Sequence, residues 1–162
     1  DMASPTQKNL AKVKKLARYL LRHPHGVMEF RDDKGQGNII NAFSDSDWAG
    51  CLKTRKSTSG GVMTVDGGLV KTWSSTQSTV SQSSGEAECY ALVRAAMEAL
   101  GMQSIMNDLG WSSSIRLWVD SSAAKSICSR IGLGLVRHLE VKFLWLQQVV
   151  KSVWMFGKLE AR

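Results

Sequence analysis

FSDSDWAG, residues 43–50, sets Asp45 and Asp47 two positions apart at the end of an apolar run. In an extended strand, residues two apart share a face. Two carboxylates on one face repel each other, and burying either is costly. Two other acids are equally out of place. Asp120 directly follows IRLWV, residues 115–119, a short apolar β-rich run. Glu88 lies in a helix expected over 83–100, where steps of about 100° per residue place it on the face of Ala91, Leu92, Ala95 and Ala99, with Glu86 nearly opposite. Glu86 therefore reads as a cap carboxylate on the solvent side, and Glu88 as an acid turned toward a sheet.

Carboxylates tolerate crowding when divalent cations neutralise them. Mg²⁺ takes oxygen ligands and keeps some of its water, and a pair of such ions about 3.5–4 Å apart serves phosphodiester hydrolysis. Asp45, Glu88 and Asp120 are the three acids that a shared sheet could bring together. Asp45 is read as continuing an inward alternation of Ile39, Asn41 and Phe43; Asp47, nearer the turn at Gly50, suits turn capping or a supporting role.

The elements that must hold these acids follow from punctuation and periodicity. Residues 4–22 read as a helix, with Ser4 as N-cap, Pro5 at N1 and Gln7 at N3. Leu10, Val13, Leu16, Ala17, Leu20 and Leu21 form its apolar stripe, while Lys8, Lys12, Lys14, Lys15, Arg18 and Arg22 make it basic. NIINAFSDSDWAG is a strand candidate. GGVMTVDGGLVKTWSS reads as a hairpin around Asp66-Gly67-Gly68, so three successive strands are expected to be antiparallel neighbours. Ser83 with Glu86 opens the long helix, which Gly101 either ends or only weakens. A strand at 115–119, a helix from Ser121 or Ser122 to about Arg130 and a last helix over about 137–151 complete the order α, βββ, α, β, α, α. Trp48, Trp73, Trp118, Trp145 and Trp154 are expected in the core rather than as stacking platforms.

The 162 residues suit one domain with a core of its own, and a formal net charge of +7 favours a polyanionic partner, nucleic acid before membrane. No stretch is apolar for long enough to span a bilayer, and no secretory signal opens the chain. Cys51, Cys89 and Cys128 are odd in number and widely spaced, which favours a reducing, intracellular setting over a disulfide framework. His23, His25 and His138 are too scattered for a zinc site.

FSDSDWAG, RKSTSGG, KTWSSTQSTVSQSSGEAECYAL and LWVDSSAA, in that order and spacing, resemble the RNase H domain of copia-type LTR-retrotransposon polyproteins. SPTQKNLAKVKKLARYLLRHP resembles the segment joining reverse transcriptase to RNase H in them. The resemblance implies an RNase H-like α/β fold: a mixed central sheet, three antiparallel strands then a parallel one, flanked by helices. Residues 1–37 would be the basic helix and connector from the reverse-transcriptase side, and 38–162 the RNase H-like domain. The implied activity is endonucleolytic cleavage of the RNA strand of an RNA–DNA hybrid with Mg²⁺ or Mn²⁺. Asp45, Glu88 and Asp120 match the family's catalytic, metal-binding acids, and Lys53, Arg55, Lys56 and the first helix are candidate phosphate contacts. The implied setting is cytoplasmic, in virus-like particles, with the reverse-transcriptase domain of the same polyprotein as a candidate partner and no membrane. The family's fourth acid, on a last helix after a fifth strand, has no counterpart: GKLEAR stands about where that strand would begin, so strand and helix are expected to be missing or truncated. Glu140 is a candidate substitute ligand, and His138 a candidate aid to product release. The rival reading is a weakened or inactive RNase H fold that binds or tethers nucleic acid.

Overall fold

The computed structural model describes residues 4–26, 37–129, 141–149 and 154–156. The elements in chain order are α1 (Gln7–Arg22), β1 (Ile39–Asp47), β2 (Thr58–Val65), β3 (Gly68–Thr76), α2 (Ser84–Asp108), β4 (Ser114–Val119), α3 (Ser122–Ser129), α4 (Val141–Val149) and β5 (Trp154–Phe156). The five strands form one sheet in the order β3-β2-β1-β4-β5. β1, β2 and β3 pair antiparallel, while β4 lies parallel to β1 and β5 parallel to β4. This is the mixed sheet expected from the sequence. The fifth strand, expected to be missing or truncated, is present as three residues, ahead of GKLEAR rather than within it. Its apolar sequence WMF is β-prone and pairs along the free edge of β4. Residues 137–140 of the expected last helix, and 157–162, lie outside the described residues.

The hairpin turns on two residues, Asp66 and Gly67, with φ of 46° and 84°. Positive φ at both positions is the requirement of a tight primed turn, and Asp-Gly meets it. Asp66 also ties the turn to β1: its Oδ1 accepts from the Ile39 N–H at 2.7 Å and its own N–H donates to the Ile39 carbonyl at 3.0 Å.

α2 crosses one face of the sheet. Register places Ile40, Ala42, Ser44 and Ser46 of β1 on that face, beside Val65, Met63, Gly61 and Ser59 of β2 and, through Ser44, Ile115, Leu117 and Val119 of β4. Ile40, Ala42, Leu92, Ala95, Ala99 and Leu117 are fully buried there. The face of Asp45 is therefore the opposite of the one expected: Asn41, Phe43 and Asp45 point away from α2, together with Arg116 and Trp118. Both alternations of NIINAF are apolar enough to be buried, as suits a central strand, so pattern alone could not choose between them. On this second face the Phe43 and Trp118 rings stack at 5.7 Å, and the Trp118 indole N–H donates to Asn41 Oδ1 at 3.0 Å.

Gly61 lies under Trp73 on the α2 face. A Cβ there would come within 2.0 Å of the Trp73 ring and 2.8 Å of the Phe43 carbonyl oxygen. Gly61→Ala is expected to lose about 1–3 kcal/mol through this overpacking; urea unfolding of the two proteins checks it, and equal midpoints would mean the ring relaxes freely.

α2 starts at Ser83, whose Oγ accepts from the Glu86 N–H at 3.1 Å, while Glu86 Oε2 reaches back to the Gln82 N–H at 2.7 Å. The helix runs through Gly101 to Asp108, so that glycine weakens it without ending it. α1 is capped by Thr6, not Ser4: Thr6 is extended and its Oγ1 accepts from the Asn9 N–H at 3.3 Å. Gln7 is the first helical residue, so the cap falls on Thr6, and Pro5 precedes the cap rather than opening the helix. None of the residues of α1 is buried. Among the described residues, no helix is long and apolar enough to cross a membrane.

Candidate metal centre

β1 and β4 run parallel, with Ser44 opposite Val119. Asp45 and Asp120 each come one residue later, so they emerge side by side at the C-terminal ends of adjacent strands, the usual place for ligands in such sheets. Glu88, in the second turn of α2, reaches the same edge from the other side. Its Oε1 accepts from the Ser46 N–H and from Ser46 Oγ, both at 3.3 Å. Asp45, Glu88 and Asp120 each offer a carboxylate oxygen, and these oxygens all lie within 4.8 Å of one another. The helix-wheel preference for Glu88 over Glu86 is thereby explained: Glu88 is 9% exposed against the sheet, while Glu86 serves the cap.

The electrostatics are those of a site short of positive charge. Burial, then the charges of Asp45 and Asp120, push the Glu88 carboxyl up to about 7, against a smaller pull from the Ser46 hydrogen bonds. Glu88 Oε2 is buried and, among the described residues, has no hydrogen-bond partner. A divalent cation would meet both needs. It would give the orphaned oxygen a partner and cancel the repulsion among three carboxylates. The donors are all hard oxygens, which fits Mg²⁺ or Mn²⁺. The acids present therefore fit the ion.

A cation and a proton compete for Glu88. Below about pH 7, where the raised carboxyl is protonated, cation affinity is expected to fall by up to about tenfold per pH unit, and to level off above it. Mn²⁺ calorimetry at pH 6 and pH 8 measures this; equal affinities at the two values would contradict it.

Asp47 does other work. Its Oδ1 accepts from the Thr58 N–H across the start of the β1–β2 loop. A Cβ at Gly50 would strike Asp47 Oδ2 at 2.0 Å, so the turn needs glycine to make room for that carboxylate. This is the turn-capping role expected of it.

Lys53, Arg55 and Lys56 lie in the β1–β2 loop, which leaves the same edge of the sheet as Asp45; Lys53 and Arg55 are exposed and Lys56 is half-buried. Trp48, at the start of this loop, is a correction: it is 54% exposed, not in the core, and its indole N–H donates to the Ser81 carbonyl at 3.1 Å. Trp73 and Trp145 pack against the core as expected, and Trp118 is half-buried. Glu140 and His138 lie outside the described residues, and so does the side chain of Trp154.

Sequence reasoning missed the polar residues behind the site. Gln77 and Ser81, in the connector from β3 to α2, are buried and hydrogen-bonded to each other at 2.9 Å. STQSTVSQSS has no apolar periodicity to expose them.

No family model matches the chain. Two curated relatives are retrovirus-related Pol polyproteins. The one from transposon TNT 1-94 of Nicotiana tabacum is 25% identical over 151 residues, 92% of this chain and 11% of the relative. The one from transposon RE1 of Arabidopsis thaliana is 28% identical over 159 residues, 93% of this chain and 10% of the relative. Among solved structures, LC11-RNase H1, isolated from compost, matches with a TM-score of 0.58 at 17% identity, covering 75% of this chain and 84% of that one. Its structure in complex with an RNA/DNA hybrid matches with a TM-score of 0.52 at 17% identity, covering 74% and 84%. The chain is a relative of copia-type Pol polyproteins with an RNase H-like fold. It spans about a tenth of the length of these two relatives. The structural likeness, at such low identity, carries the fold alone. The relatives are retrotransposon polyproteins, in agreement with the family resembled by FSDSDWAG and the segments after it.

Proposed function

We propose that this RNase H-like module hydrolyses the RNA strand of RNA–DNA hybrids with the help of Mg²⁺ or Mn²⁺. The observation that carries the reading is the convergence of carboxylate oxygens of Asp45, Glu88 and Asp120 within 4.8 Å, with one buried Glu88 oxygen left without a hydrogen-bond partner among the described residues. The cation, when bound, supplies Lewis-acid stabilisation of charge at the scissile phosphate and a more acidic water. The chain's own residues do the rest. Asp45 and Asp120 present their carboxylates from two strand ends of one rigid sheet. Ser46 holds Glu88 through its N–H and O–H, so the third carboxylate keeps its orientation without a bound ion. No covalent nucleophile from the protein is required.

Substrate recognition rests on shape rather than sequence, through groove width and the 2′-hydroxyls of the RNA strand. Lys53, Arg55 and Lys56, with the cationic side of α1, are proposed to meet the phosphate backbone. In this reading residues 1–37 come from the polymerase side of a longer polyprotein, residues 38–162 form the nuclease module, and the reverse-transcriptase domain of the same polyprotein is the natural neighbour. The intracellular setting of such an element, in virus-like particles, belongs to the same proposal.

The test is a hybrid labelled on each strand in turn, incubated with the protein in Mg²⁺, Mn²⁺ or chelator. Cleavage of the RNA strand alone, lost in chelator, is expected. Retention of the hybrid with no cleavage under any condition would favour the rival reading of a binding or tethering module. Binding should also weaken steeply as salt rises, since phosphate contacts release counterions.

A further inference from the structure

We propose that Gln77 is a positioning residue that sets Glu88 in register with Asp45 and Asp120. The inference rests on the metal-site reading given under the proposed function. Gln77 stands just beyond β3 and is 8% exposed. Its Nε2 donates to Ser59 Oγ and to the Ala87 carbonyl, both at 2.9 Å, and its Oε1 accepts from Ser81 Oγ at 2.9 Å. Its backbone N–H donates to the Ser57 carbonyl at 2.8 Å.

The two acceptors of this amide nitrogen, Ser59 and Ala87, bracket the site. Ser59 is the cross-strand partner of Ser46, and Ser46 is the residue whose N–H and O–H hold Glu88. Ala87 is the residue before Glu88. The contacts therefore close a frame: Glu88 to Ser46 on β1, Ser46 beside Ser59 on β2, Ser59 to Gln77, and Gln77 to Ala87 on α2. One side chain locks the first turn of the helix to the sheet at the point where the helix delivers its carboxylate. Ser81 extends the frame, because its carbonyl accepts from the exposed Trp48 indole at 3.1 Å.

The requirement for glutamine is chemical. Both N–H groups and the oxygen of the amide are used in a buried place, and no apolar side chain can supply them. A glutamate would face the Ala87 carbonyl with an acceptor unless protonated. Loss of the frame would not remove any ligand. It would let Glu88 drift, and Mg²⁺-type ions demand near-ideal octahedral geometry, so small displacements weaken them.

The experiment compares wild type, Gln77→Met, which keeps the length but none of the bonds, and Leu146→Ala, a buried position on α4 outside the frame. Mn²⁺ alone is titrated by calorimetry, with thermal unfolding beside it. Gln77→Met is expected to bind Mn²⁺ about tenfold more weakly, in the range found when groups that orient metal ligands are removed, and hybrid cleavage should return at saturating Mn²⁺. Leu146→Ala should melt lower with its Mn²⁺ affinity unchanged. A Gln77→Met protein that melts lower but binds Mn²⁺ as the wild type does would overturn the inference. Should that variant fail to fold, Ser59→Ala, which removes the hydroxyl that accepts from Gln77 within the frame, serves instead: weaker Mn²⁺ binding supports the frame, and unchanged binding overturns it. A wild type that shows no Mn²⁺ binding would instead overturn the metal-site reading and the role of Gln77 with it.

Discussion

Asp120→Asn is expected to lower metal-dependent cleavage of an RNA–DNA hybrid by at least about a thousandfold. A bound cation stabilises charge in the transition state by several kcal/mol, and each 1.36 kcal/mol is about tenfold in rate. Asp120 is exposed at the end of β4, and asparagine has the same shape, so stability should change by no more than about 0.5 kcal/mol. The variant removes one ligand charge and little else. Single-turnover cleavage in Mg²⁺, with the melting temperature measured beside it, reads both quantities. An Asp120→Asn protein that cuts at the wild-type rate would place the metal elsewhere.

Glu88→Gln is expected to act in opposite directions on activity and stability. Cleavage should be lost, because a neutral amide is a poor ligand for Mg²⁺. The metal-free protein should at the same time become more stable at pH 8, by a few degrees in melting temperature. Glu88 sits raised at about 7 from an ordinary 4.5, chiefly by burial and then by the charges of Asp45 and Asp120. A raised folded-state carboxyl contributes stability that is full below about pH 4.5 and is lost as pH climbs through about 7. Glutamine carries no such penalty. Its oxygen can keep the Ser46 hydrogen bonds, and its amide N–H groups would face the two aspartates instead of repelling them. The gain should be absent near pH 4, grow up to about pH 7 and hold above it. Thermal unfolding in chelator across that range tests the sign, and an equal gain at pH 4 and pH 8 would show that the effect is packing rather than charge.

The acids were legible in the sequence for a physical reason: an unpaired carboxylate on an apolar face is expensive, so Glu88 on its helix and Asp120 at its strand end stood out. The hairpin was legible because Asp66-Gly67 allows positive φ at both turn positions. The face of Asp45 was not. Ile39 and Ile40 are both buried, so alternation along β1 carries no usable contrast between its faces, and only the burial of Ile40 and Ala42 beside Ile115 and Leu117 shows that the face of Phe43 and Asp45 is the one turned away from α2. Trp48 departs from the expectation that a large apolar ring is buried: a hydrogen bond to the Ser81 carbonyl holds it at the rim. Gln77 and Ser81 were invisible because a buried polar network leaves no periodic signature, and only its partners in three dimensions give each residue a purpose. The fifth strand lies ahead of the expected GKLEAR because three residues along an existing edge suffice to form it.

Asp45, Glu88 and Asp120 are proposed to hold one divalent cation together. Anomalous diffraction from crystals of the protein soaked in Mn²⁺ tests it most directly. A peak about 2.1 Å from a carboxylate oxygen of each of the three residues is expected, with Glu88 Oε2 among the ligands. Density free of such a peak at saturating Mn²⁺, or an ion bound only at other residues, would contradict it.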